Sequence, residues 1–155
     1  MDSTTFRTTF LLEAPTRAIG FSRVYLRFVA IVMLPLMIVT LFAALEGSTI
    51  LPYLYRGYPG GLLLAFAMSY YWMRTVPAMV IVDGSLVEVR TVHEAYYRKT
   101  DGLKSPAYVI DLDQSDEGIS VTVGLDTYTL KASDWQEYDE MKVALQSAHL
   151  IYQSL

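Results

Sequence analysis

The stretch DLDQSDEG brings Asp111, Asp113, Asp116 and Glu117 close together, the oxygen-rich composition that calcium selects. The register does not suit that ion. Counted as a calcium loop from Asp111, the position that needs glycine for a sharp turn is Asp116, and the position of the bidentate glutamate is Thr122. The carboxylates therefore read as a solvated hairpin tip. His93 and Glu94 are adjacent but lack the second histidine of a zinc helix, and His149 is remote in sequence. The chain has no cysteine, which removes disulfides, thiolate metal sites and thiol nucleophiles together. It has no asparagine either, hence no N-glycosylation acceptor. No serine stands in a recognisable nucleophile context, and no glycine loop precedes a helix in phosphate-binding form. The sequence predicts a protein without enzymatic activity, cofactor or metal.

Two patterns remain that do the work of contact. Gly61, Ala65 and Ser69 recur every four residues and make a smooth ridge on which a second helix can approach closely. The partner is either the preceding helix or a helix of another subunit. Tyr96, Tyr97, Arg98 and Lys99, with Lys104 nearby, form an aromatic and basic cluster suited to headgroups or to an acidic partner. The cluster runs against its surroundings. Residues 75–155 carry six basic and thirteen acidic residues, net −7, whereas residues 1–74 carry six and three, net +3. An acidic half of this kind repels phosphate backbones, so nucleic acid is excluded as a partner on charge.

The elements that position these patterns divide the chain. The hydrophobic share of 53% is concentrated between Val24 and Trp72. Phe28 to Leu45 is an 18-residue run without a charge, long enough for a membrane-crossing helix, with a kink expected near Pro35. A signal peptide does not fit, since Asp2 and Glu13 precede a late apolar run and a second one follows. That second stretch, Tyr53 to Met73, contains Arg56, placed by its position near the helix end to snorkel outward. Tyr53 and Tyr55 stand at one end and Tyr70, Tyr71 and Trp72 at the other, about 28 Å apart at the helical rise, as in two interfacial belts. The Pro59-Gly60-Gly61 triplet allows the helix to begin as late as Gly60. Arg17, Arg23, Arg27 and Arg74 flank the pair while the connecting loop offers only Arg56. Both termini are thus predicted to be cytoplasmic in a multi-pass inner-membrane protein.

Beyond Arg74 the periodicity becomes that of strands. Met79 to Val92 reads as a hairpin turning at Asp83-Gly84. A polar stretch from His93 to Ser105 follows, then strands at Tyr108–Leu112, Ile119–Val123 and Thr127–Leu130, with turns through Gln114–Gly118 and at Gly124 and Asp126. Ser133 and Gln136 have capping-box spacing, so a last helix is expected from there. Its apolar stripe would be Trp135, Tyr138, Met141, Leu145, Ala148 and Tyr152. Thr5 to Leu12 is a candidate added strand. About five strands and a closing helix make an α+β domain of roughly 80 residues, small for a self-sufficient core.

Two membrane helices, a strand hairpin PAMVIVDGSLVEVR, further short strands and a last helix beginning SDWQEYDEMKVAL resemble the bacterial pleckstrin-homology-like membrane proteins, including the YcxB-like group. The resemblance implies an antiparallel sheet closed by the C-terminal amphipathic helix. It further implies a non-enzymatic, membrane-anchored interaction or scaffolding module that meets the lipid bilayer and a membrane-protein partner or a second copy. The competing expectation is a small accessory or assembly subunit of a large respiratory, photosynthetic or transport complex.

Overall fold

A computed structural model of the chain describes residues 3–97 and 105–154. Two compact units emerge: Thr16–Met73, which is helical, and Met1–Pro15 together with Arg74–Leu155, which holds the sheet.

The sheet unit opens with strand β1, Thr4–Arg7, and a short helix α1, Thr9–Glu13. The expected strand over Thr5–Leu12 is therefore cut in half. Phe6 is buried opposite Val80, and Thr8 turns the chain away from the sheet. The helical unit then begins with α2, Arg17–Leu45, whose start is capped by the Thr16 hydroxyl accepting from the Ile19 N–H at 3.4 Å. This helix starts eleven residues before the uncharged run, because its amphipathic first turns are helical as well. It continues through Pro35 and stops at Gly47. There the Ser48 N–H bonds the Ala43 carbonyl and the Gly47 N–H bonds that of Ala44, a left-handed glycine cap at φ 72°. The second apolar helix differs from expectation at its start. Tyr53–Gly57 form a π-helical turn, and the regular helix α3 is Tyr58–Thr75.

The chain returns to the sheet unit as β2, Pro77–Asp83, and β3, Leu86–Thr91, joined through Gly84 and Ser85. Gly84 has φ 59° and Ser85 does not share the positive sign, the pattern of a tight hairpin whose twist matches its strands. A helix α4, Val92–Tyr96, occupies the start of the polar stretch His93 to Ser105. Three strands follow, β4 (Ala107–Ser115), β5 (Gly118–Val123) and β6 (Asp126–Lys131). Among the described residues the sheet thus has the five strands expected after Arg74 with β1 added to them, and the turn between β4 and β5 narrows to Asp116 and Glu117.

All neighbours are antiparallel, in the order β1-β2-β3-β4-β5-β6. The link between β3 and β4 is short, consisting of Leu86 opposite Tyr108 and Val87 opposite Ala107. The last helix, α5, spans Tyr138–Gln153 and packs chiefly along β4. Met141, Leu145 and Ala148 on its inner stripe are fully buried with Val80, Val87, Val109 and Val121. The expected capping box at Ser133 does not form. Ala132–Asp134 make a 3₁₀ turn, and Ser133 bonds the carboxylate of Asp134 instead. Trp135 is extended and pairs with Thr8, linking the segment after β6 to the end of β1. Burying the indole at 5% exposure in the core outweighs extending the helix by one turn.

Candidate functional site

The ridge on α3 is built from residues that are small because something lies against them. Ala65 and Ser69 are fully buried, as are Gly61 and Met73 on the same face. A Cβ placed on Gly61 would lie 3.0 Å from Met33 Sδ and 3.4 Å from Val32 Cγ1, so α2 is the surface it meets. A Cβ on Gly57 would lie 3.2 Å from Leu36 Cδ1. Further along, Phe66 packs edge-on against Phe21 and Tyr25, at 5.3 and 6.4 Å between ring centroids. The contacts pair later residues of α3 with earlier ones of α2, so the two helices run antiparallel. The Ser69 hydroxyl donates to the Ala65 carbonyl of its own helix at 2.6 Å and has no hydrogen left to give across the interface. Fit, and not interhelical hydrogen bonding, is what this ridge supplies.

The outer surfaces of these helices are apolar and bare. Leu34, Leu41, Phe42 and Leu45 of α2 keep 62, 59, 60 and 75% of their surface, and Leu63 and Tyr71 of α3 keep 71% each. Among the described residues α2 alone is long and apolar enough to cross a membrane by itself. The helix α3 opens on Tyr-Pro-Gly-Gly and closes on polar aromatic residues and Arg74.

Arg56 stands near the start of the second apolar stretch, on the π-helical turn that precedes α3. Leu36 lies midway along the uncharged run Phe28–Leu45, and Gly57 is packed on it, so Arg56 stands beside the middle of that run. Its side chain is exposed.

Of the aromatic and basic cluster, Arg98, Lys99 and Lys104 lie outside the described residues. Tyr96 and Tyr97 take different parts. The Tyr96 hydroxyl donates to the Ala14 carbonyl at 2.6 Å, which ties α4 to the segment preceding α2. Tyr97 stacks on His93 at 4.5 Å and keeps 39% of its surface. The start of α4 is bonded to the other connection, through the Val92 N–H and the Val76 carbonyl. Thr91 and Glu94 supply the missed signal for this helix: each side chain bonds the other's backbone N–H in a capping box, at 3.3 and 2.8 Å.

β3 also carries an ion pair that the sequence reading does not single out. Arg90 presents Nε and Nη2 to the two oxygens of Glu88 at 2.6 and 3.1 Å, with both side chains largely covered. Glu88, by hydrogen bonding, is the main cause of a guanidinium pKa above its ordinary value, against the opposing effect of burial. The alternation of Glu88 and Arg90 between buried Val87, Val89 and Thr91 marks both as outward-facing, and a forked pair of this kind neutralises itself. Among the described residues no three His, Asp or Glu side chains come together in a way that would hold a metal ion. No family model matches the chain, and neither a curated protein nor a solved structure matches it.

Proposed function

We propose that this chain is a membrane-anchored interaction module without catalytic chemistry. In this reading α2 and α3 lie in a prokaryotic cytoplasmic membrane as a hairpin. The six-stranded domain and both termini are cytoplasmic, and the domain works by binding another protein through the aromatic and basic stretch Tyr96 to Lys104. The observation that carries the reading is the surface of α2. Of its uncharged run only Ala43 is buried, so nearly every side of the helix presents hydrocarbon. A bare apolar surface of that extent is not sustained in water and matches the thickness of a bilayer core. α3 accompanies it because packing through Gly61, Ala65 and Ser69 lowers the cost of its less apolar ends. In this reading the antiparallel sheet with α5 against it is the part that does the work of contact.

The absence of cysteine makes the test direct. Single cysteines introduced as Ser48→Cys and Ser154→Cys are offered a membrane-impermeant maleimide in intact spheroplasts. Labelling at position 48 alone, with position 154 reacting only after lysis, is expected. Labelling at 154 in sealed spheroplasts would overturn the orientation, and release of the chain from membranes by carbonate would overturn the anchor. Recovery in mild detergent only within a discrete larger assembly would favour an accessory subunit over a self-standing module.

A further inference from the structure

The two helices of the hairpin disagree about where the apolar layer ends. Arg56 stands on the π-helical turn Tyr53–Gly57, next to the backbone that packs on Leu36. Past Leu36 the uncharged run continues from Met37 to Leu45, nine residues or about 13 Å at the helical rise. If the bilayer boundary lay at Arg56, then Leu41, Phe42 and Leu45 would be left in water, although they keep 59, 60 and 75% of their surface exposed. If it lay at Leu45, a guanidinium would stand in hydrocarbon, where an ionised side chain is costly and by default functional. Among the described residues no carboxylate pairs with Arg56. The hairpin alone does not resolve the conflict. Beside the arginine the surface is also open to a neighbour: a Cβ built on Gly60 would meet nothing within 4 Å, whereas the adjacent Gly61 is filled by α2. A backbone can approach closely at Gly60 from the side away from α2.

We propose that this face, Arg56 with Gly60 and the overhanging end of α2, docks a membrane-spanning helix of a partner protein that carries a carboxylate near mid-depth. Charge selects the occupant. A second copy of this chain in two-fold contact would set Arg56 against Arg56, and the uncharged run Phe28–Leu45 brings no acid to answer it. A carboxylate in the same layer meets the fork-shaped guanidinium at full strength, because no water competes there. This rests on the reading that the hairpin lies in a bilayer.

The test uses the full chain with Ser48→Cys carrying a donor dye, reconstituted in phosphatidylcholine vesicles. Acceptor-labelled synthetic transmembrane peptides of leucine and alanine are added, one with a central glutamate and one with leucine in its place. The glutamate peptide is expected to associate about tenfold more tightly, the ratio that one interhelical polar contact supports. That preference should vanish in Arg56→Leu and persist in reduced form in Arg56→Lys. Equal association of the two peptides with the native chain overturns the proposal, as does a preference that survives Arg56→Leu. Quenching by brominated lipid of a fluorophore on Phe42→Cys is read in parallel for every variant. No quenching means that the membrane reading itself has failed, while quenching without a peptide preference means that only the docking inference has.

Discussion

His149 Nδ1 lies 2.9 Å from the Val109 carbonyl oxygen, at the point where the pairing of β4 with β5 slips by a bulge. A carbonyl only accepts, so the imidazole must donate through Nδ1, and Nε2 is left to accept from the Gln153 side chain at 2.9 Å. The histidine thereby fastens α5 to the strand it covers. His149→Leu fills similar space without the donor and leaves the Val109 oxygen unpaired. It is expected to cost about 1–2 kcal/mol. Denaturant unfolding of the full chain in mild detergent, followed by fluorescence of buried Trp135, measures this, and an unchanged midpoint would show the bond to be idle.

The joint between β1 and the segment after β6 contains a different kind of imperfection. Thr8 is 4% exposed and its backbone pairs with Trp135, yet its hydroxyl finds no hydrogen-bond partner among the described residues. A desolvated hydroxyl without a partner costs free energy, so Thr8→Val, which keeps the shape, is expected to leave stability unchanged or raise it by up to about 1 kcal/mol. The same unfolding measurement applies. A loss greater than about 1 kcal/mol would mean that the hydroxyl is bonded after all.

How far the sequence carried depended on how local the deciding force was. The β2–β3 hairpin was legible because Gly84 and the alternation Val87, Val89 act within a few residues. The inner stripe of α5 was legible for the same reason, from Met141 to Ala148. Trp135 is in the core as its place on the stripe suggests, but its backbone is extended and not helical, because a long-range pairing with Thr8 prevails over the local capping signal of Ser133 and Gln136. β1 was seen only as a candidate since four residues carry too little pattern, and its partner β2 lies beyond the whole helical unit. The level of Arg56 along α2 is also set at long range: it depends on which residue of α2 faces Gly57, and no spacing within Tyr53–Met73 contains that information. The capping box of α4 is as local as the β2–β3 hairpin, written in Thr91 and Glu94 three residues apart.

The stretch Tyr96 to Lys104 is expected to be the domain's contact point. Arg98, Lys99 and Lys104 oppose a domain with net charge −7 over residues 75–155, with Asp101 the one acid among them. Replacing Arg98 and Lys99 together by alanine should weaken binding in native membranes, with a larger loss at low salt, where screening is least. Crosslinking yield at low and high ionic strength reads the effect. A yield indifferent to both the substitutions and the salt would remove this stretch from the interface.

The final expectation concerns the ridge on α3. Ala65 is fully buried on the face whose Gly61 rests on Met33 and Val32, so there is no room for a larger side chain. Ala65→Leu should destabilise the hairpin by about 1–3 kcal/mol through overpacking, while insertion persists because the substitution is itself apolar. Gly61→Ala is the milder case, since the nearest atom is the flexible end of Met33, which can yield by a few tenths of an ångström. Ser69→Ala should be nearly neutral, as its hydroxyl serves only its own helix. The order Ala65→Leu, Gly61→Ala, Ser69→Ala in falling severity, read as thermal midpoints in mild detergent, is what packing by fit requires. If Ser69→Ala proves the most damaging of the three, a polar contact across the interface, and not close approach, holds these helices together.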